Sequence, residues 1–195
     1  MYLKTILVIL KFGRQIMQVM LILGTSLFST EFIRKHYLYS SVGKNCMIMK
    51  KKLPLYNNLV FFHDNVWIAS NVGFVTHDVI HCMLNGRTGR DNFIEKVGCI
   101  EVMNNVFIGS GTRILYNTRI GNNVIIGSHS LVNKDIPDNS VYAGVPARYI
   151  CSFDEYLEKH RNYSENFREK FCDGFHGVSD SLAENIYADF LLQRK

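Results

Sequence analysis

Residues 120–131 read Ile-Gly-Asn-Asn-Val-Ile-Ile-Gly-Ser-His-Ser-Leu, one six-residue phrase given twice. A period of six is too short for solenoids of paired helices and does not match the heptad of a coiled coil. It fits one short strand and one corner per repeat, the unit of a parallel β-helix. With the aliphatic residue before the glycine as position one, the phase runs unbroken through Val102, Ile108, Ile114, Ile120, Ile126 and Val132. Position five of these hexads is small or β-branched: Val106, Thr112, Thr118, Val124, Ser130 and Ile136. Positions one and five are therefore predicted to point into a narrow core, with glycine and small polar residues at the bends. Upstream the phase returns at Tyr56, Phe62, Ile68, Phe74 and Ile80, with Val60, Val66 and Val72 at position five, and faintly at Val42 and Ile48.

The array and its ending carry a resemblance. VNKDIPDNSVYAGVPARYI, from Val132 to Ile150, is similar to the V-x-K-D-I-P-x-N-x-V-x-A-G-x-P-A-[KR] ending of the hexapeptide-repeat acyltransferases, in the branch that acetylates sugars and other small hydroxylated acceptors. The resemblance covers roughly residues 42 to 165. It implies an all-β solenoid, a left-handed parallel β-helix with three hexads per coil, and acetyl-CoA as the acyl donor. A three-sided solenoid offers equivalent flat faces, and in that family the donor lies between neighbouring subunits, so a cyclic homotrimer is expected.

Length and composition agree with one domain bearing appendages: an N-terminal helical cap over 1–40, a catalytic β-helix over 41–150, and a C-terminal helical extension over 151–195. The net charge of +5 at pH 7 is spread out, without basic runs interleaved with aromatics, so an anionic small ligand is expected rather than nucleic acid. Cys46, Cys82, Cys99, Cys151 and Cys172 are odd in number and form no CxxC, which suggests reduced thiols in the cytoplasm. The first thirty residues hold two apolar runs interrupted by Lys4, Lys11 and Arg14. Neither is long enough to span a bilayer, and no small-x-small cleavage site marks a signal peptide. An amphipathic helical hairpin is expected there. It either caps the open end of the solenoid or makes peripheral membrane contact through its Lys and Arg. After the repeats, Ser152 with Glu155 reads as a capping box opening a helix whose Phe153, Tyr156, Leu157, Tyr163, Phe167 and Phe171 form an apolar stripe. A second helix is expected over Leu182 to Leu192.

The chemistry is sought where the repeat breaks. Phe74 and Val102 stand 28 residues apart, read as one coil of eighteen plus ten, so a loop at about 81–99 is expected to protrude. Asn85-Gly-Arg-Thr-Gly-Arg-Asp-Asn supplies its turn formers. In the resembling family an extended loop and a histidine near its root form the active site, and the T-H-[DP] pattern falls on His77 and Asp78. A sugar hydroxyl attacks a thioester only as a base of near-neutral pKa takes its proton, and histidine meets that need without an enzyme nucleophile. Asp78 or Glu101 would orient the imidazole, and His81 and Asn85 are candidates to contact the acceptor. Subtracting ten residues places His77, Asn105 and Asn123 at one corner, coil above coil. Asn105 there either binds the acceptor or ladders with its neighbours.

For the donor, the resemblance implies Gly127 and Ser128 on the coil wall, with Asn133, Lys134 and Arg148 near the phosphates, where cations bind well. No metal is expected. Two other classes stay in view. One is a metal enzyme like the gamma-class carbonic anhydrases, for which His63, His77 and His81 would be the ligands, although that family's paired histidines on a stacked coil are not evident. The other is a non-catalytic subunit held at the membrane by its apolar N-terminus. A serine acetyltransferase is disfavoured, because the D-H-A-T-G segment of that relative is absent.

Overall fold

The computed structural model describes residues 30–35, 38–49, 53–167, 178 and 180–194. Residues 1–29 and 36–37 of the expected N-terminal helical cap, and the stripe residue Phe171, lie outside them. The chain divides into two compact units, residues 1–153 and 154–195.

In the first unit, a short helix α1 (Thr30–Lys35) precedes β1 (Ser41–Val42), β2 (Met47–Ile48), β3 (Val60–Phe62), β4 (Val66–Ile68) and β5 (Gly73–Val75). An excursion follows, carrying β6 (His77–Asp78), helix α2 (Ile80–Thr88) and β7 (Lys96–Val97). The array then resumes with β8 (Ile100–Val102), β9 (Val106–Ile108), β10 (Arg113–Leu115), β11 (Thr118–Ile120), β12 (Val124–Ile126) and β13 (Leu131–Val132). It ends on β14 (Ser140–Ala143) and β15 (Arg148–Ser152).

Successive strands join three different sheets in turn, ordered β1-β3-β8-β11, β2-β4-β9-β12-β14-β15 and β5-β10-β13. Val124 pairs in parallel with Val106, Thr118 with Ile100 and Leu131 with Arg113, each eighteen residues apart. Three hexads thus make one coil of a three-sided parallel solenoid.

The inward pattern follows the sequence. Ile108, Ile114, Ile120, Ile126, Val102 and Val132 at position one are 0% exposed, and the position-five residues Val106, Thr112, Thr118, Val124, Ser130 and Ile136 are buried as well. Each large aliphatic so buried contributes about 1.5–3 kcal/mol. Towards the N-terminal end the core side chains become aromatic. Phe62 and Phe74 pack 5.4 Å apart, and Tyr39 meets Phe62 edge-on at 4.9 Å. Ile33 of α1 and Leu38 join the same core.

The corners turn at position four, through the left-handed region. Asn65, Asn71, Asn105, Asn117, Asn123 and His129 all have φ between 53° and 61°. Asparagine is the L-residue that best tolerates this conformation. The asparagines also bond along the axis: Asn45 to Asn65, Asn65 to Asn105, Asn105 to Asn123 and Asn123 to Asn139, at 2.7–3.0 Å.

Three features of the register differ from the expectation. The excursion is longer than ten residues: Phe62, not Phe74, lies beneath Val102, forty residues on, which is twenty-two more than a coil. Those are residues 77–98, inserted between Thr76 and Cys99. Ile80, expected to open a hexad, instead begins α2 and is 54% exposed. Near the other end, Ile136 bridges to Ile120 and Ser140 pairs with Val124, so that coil is two residues short.

The second unit holds α3 (Phe153–Phe167), apart from its first residue, and α4 (Asp180–Leu192). Helix α3 starts directly after Ser152, as the capping pattern predicts. Tyr156, Leu157 and Tyr163 of its stripe are exposed.

Candidate active site

The excursion leaves the solenoid as a narrow antiparallel stem. His77 pairs with Val97 and Asp78 with Lys96, and the Gly98 amide donates to the Thr76 carbonyl at 3.0 Å, closing the loop at its base. Gly98 passes under Asn117 so closely that a Cβ there would lie 2.1 Å from Asn117 Oδ1 and 3.0 Å from its backbone nitrogen. Only glycine lets the returning strand regain the coil at that point. Cys99 then fills the corner slot that the sequence pattern assigned to His77.

His77 is therefore the first residue of the stem and is not stacked with Asn105 and Asn123. Its half-buried ring meets Tyr56 edge to face, with centroids 5.2 Å apart, and its Nδ1 is buried without a partner among the described residues. Neither candidate carboxylate touches it. Asp78 accepts the Tyr116 phenol at 2.7 Å and the Ile80 amide at 3.1 Å. The Tyr116 hydrogen bond is the main cause holding the Asp78 carboxyl below its usual range. Glu101 is shared between His63 Nε2 at 3.0 Å and Arg119 Nε at 2.7 Å, and these two partners, His63 first, lower its pKa. The expectation that Asp78 or Glu101 orients the imidazole is thus corrected. Both are committed to neighbours that the stem and coil geometry bring closer.

His81 is the second residue of α2, with Nε2 3.3 Å from the Cys82 sulfur and Nδ1 buried and unpartnered among the described residues. Asn85, expected to meet the acceptor, is spent inside the excursion. Its amide nitrogen donates to Asp91 and to the Phe93 carbonyl, and its oxygen accepts the Phe93 amide at 2.9 Å. That amide folds residues 91–93 back against α2. Asn105, the other asparagine in question, both accepts from and donates to the ladder.

A groove of about 240 Å³ opens beside the root of the stem, lined by Cys99, Glu101, Asn117, Thr118, Arg119 and Asp135. Of these only Glu101 has a site role in the sequence pattern, because the others fall at unremarkable positions until the coils are stacked.

The donor-site candidates divide between two corners. Gly127 follows β12, and a Cβ on it would meet Ala143 Cβ at 2.8 Å, so the wall is smooth there. Ala143 in turn pairs with Arg148. Gly127, Ser128 and Arg148 are thereby brought together, with Ser128 and Arg148 exposed. Asn133 and Lys134 follow β13, exposed at the next corner, and Lys134 adjoins Asp135 of the groove. His63, His77 and His81 do not converge: among the described residues no group of three His, Cys, Asp or Glu side chains is placed to hold a metal ion.

This geometry can be set beside known proteins. Residues 100–134 match the bacterial transferase hexapeptide (six repeats) family. Protein CapG of Staphylococcus aureus is 35% identical over 151 residues, which cover 73% of this chain and 84% of that protein. The chain belongs to the hexapeptide-repeat transferase family. Within the family, the galactoside O-acetyltransferase of Escherichia coli strain K12 is 36% identical over 135 residues, 66% of this chain and 64% of its own length. The chain thus spans somewhat less than two thirds of that relative. A crystal structure of a maltose O-acetyltransferase from Clostridium difficile 630 superposes with a TM-score of 0.50 at 30% identity, over 63% of this chain and 73% of that one.

Proposed function

We propose that the chain is an acetyl-CoA-dependent O-acetyltransferase that acetylates a hydroxyl of a sugar, including precursors of surface polysaccharide. The observation that supports this best is the placement of His77 at the root of an excursion whose return leads through Gly98 directly to Cys99 of the groove, in a chain related to sugar O-acetyltransferases. The catalytic unit is the solenoid of residues 41–150, wound left-handed as in the family, and the working form is a cyclic homotrimer with the donor between neighbours. A cytoplasmic site of action agrees with Cys46, Cys82, Cys99 and Cys151, which are all free. Among the described residues no helix is long and apolar enough to cross a membrane. We place any peripheral membrane contact in residues 1–29.

The reaction is a direct transfer. An acceptor hydroxyl oxygen bonds to the thioester carbonyl carbon as His77 takes the hydroxyl proton. The tetrahedral adduct then collapses, the carbon–sulfur bond breaks, and the sulfur leaves with the proton returned from His77. Gly127 leaves room for the donor along the wall, and Lys134 and Arg148 meet its phosphates from two adjacent corners. Asn133 and Ser128 offer hydrogen bonds beside them, and His81 faces the acceptor.

The test is incubation with labelled acetyl-CoA and a panel of nucleotide sugars, oligosaccharides and other hydroxylated small molecules, read by mass spectrometry. A mass gain of one acetyl group on a sugar supports the reading. Absence of transfer to every acceptor, with no retention on a coenzyme A column, would sink it. Light scattering at micromolar concentration should give a trimer; a monomer would refute the shared donor site.

A further inference from the structure

We infer that Tyr116 and Tyr56 are positioning residues for His77, a pair of phenolic struts that grip the two strands of its stem from the coils on either side. The inference rests on the proposed role of His77.

An isolated two-stranded ribbon of two residues per strand has almost no stability of its own. Helix α2, which it supports, has no buried residue, and Val79, Ile80, Met83 and Ile94 of the excursion are all more than half exposed. Packing within this unit therefore does not fix the direction of the stem. Among the described residues no carboxylate orients the imidazole either, since Asp78 and Glu101 are bonded elsewhere.

The stem is held at two points. Tyr116 stands two residues after Ile114, in the coil that pairs directly with Phe74. Its hydroxyl donates to Asp78 Oδ2 at 2.7 Å, and the Lys96 ammonium lies 5.3 Å from the centre of its ring. One side chain thus engages both residues of the Asp78–Lys96 pair, immediately next to His77. On the other side Tyr56, eighteen residues before Phe74, donates its hydroxyl to Glu95 Oε2 at 2.6 Å, at the entry to β7. The ring of the same residue makes an edge-to-face contact with His77, centroids 5.2 Å apart. Both are charge-assisted bonds, the stronger class of neutral donor to ionised acceptor. Together they hold the stem at Asp78 and Lys96 on one side and at Glu95 on the other, with the Tyr56 ring against His77 itself.

A general base must stand within hydrogen-bond reach of the proton it removes, and a displacement of about 1 Å costs on the order of 100-fold in rate. Removing one hydroxyl frees one strand, while the second strut still limits its travel. Tyr116→Phe and Tyr56→Phe should each lower kcat about 3-fold to 10-fold, and the double variant about 30-fold to 100-fold. Acetyl-CoA KM should stay within about twofold, because no proposed donor contact lies on the stem. Asp78→Ala should cost at least as much as Tyr116→Phe, because it also loses the Ile80 amide bond, and adding Tyr116→Phe to Asp78→Ala should change little more, since the Tyr116 bond is already cut.

Amide hydrogen exchange supplies the readout that does not depend on turnover. In the double variant, exchange across residues 77–98 should rise at least about tenfold, while the strands of the solenoid keep wild-type protection. If the wild-type chain transfers no acetyl group, the proposed function fails, and exchange alone then decides whether the struts hold the stem. Unchanged protection of 77–98 in the double variant overturns the inference. So does faster exchange with wild-type kcat, which would mean that the struts hold the excursion without positioning the base.

Discussion

Replacing Asn105 by alanine separates the two roles that its sequence position left open. Its side chain accepts from Asn65 at 3.0 Å and donates to Asn123 at 2.9 Å, and its backbone sits at φ 58°. Alanine loses both bonds, each worth about 0.5–1 kcal/mol at an exposed site. It must also hold the left-handed conformation, at about 1 kcal/mol more than asparagine. The sum is roughly 2–3 kcal/mol, a large share of a domain's stability of about 5–15 kcal/mol. Asn105→Gly loses the same bonds but not the backbone preference, so it should cost about 1 kcal/mol less than alanine. Urea unfolding at one fixed protein concentration measures both, and acceptor KM is followed in parallel. The ladder assignment predicts Ala less stable than Gly, Gly less stable than wild type, and acceptor KM unchanged. Equal stability of all three proteins, with a raised acceptor KM, would show that Asn105 serves the ligand and that the corner argument is wrong.

Lys134→Ala combined with Arg148→Ala should raise the acetyl-CoA KM while leaving acceptor KM nearly unchanged. Each desolvated charge-assisted contact is worth about 1.5–3 kcal/mol, and less at an exposed phosphate; steady-state kinetics with an unaltered donor KM would mean that the donor lies elsewhere. Glu101, lowered in pKa by His63 and Arg119, contributes stability that is present above the unfolded carboxylate value of about 4.3 and is lost as pH falls through the lower folded value. Urea midpoints of Glu101→Gln should therefore decline less between pH 5 and pH 3 than those of wild type, and parallel declines would contradict the pairing.

Positions one and five were legible in the sequence because a core lined by Ile108, Ile114, Ile120 and Ile126 repeats its demand at every coil. The corner positions were legible too, in the small polar residues at the bends, but the left-handed conformation of the position-four asparagines was not, and only their φ values show it. The length of the excursion was not. A period of six marks which residues point inward but not which of three sheets a strand joins, so ten and twenty-two extra residues leave the same phase. Pairing of Phe62 with Val102 removes that ambiguity. His77 was singled out through chemistry and resemblance, and its surroundings were not legible. The bonds from Tyr116 to Asp78 and from Tyr56 to Glu95 span 38 and 39 residues and follow no periodicity. The commitment of Asn85 to Phe93 depends on a helix that the turn-rich segment did not announce.

The central claim is that His77 removes the acceptor proton, and single-turnover kinetics of His77→Ala beside His81→Ala test it most directly. His77→Ala should lower kcat by roughly 100-fold to 10,000-fold, with acetyl-CoA affinity and thermal stability near wild type, while His81→Ala should mainly raise acceptor KM. If His81→Ala abolishes turnover and His77→Ala retains it, the base is on the helix and not on the stem, and the account is wrong.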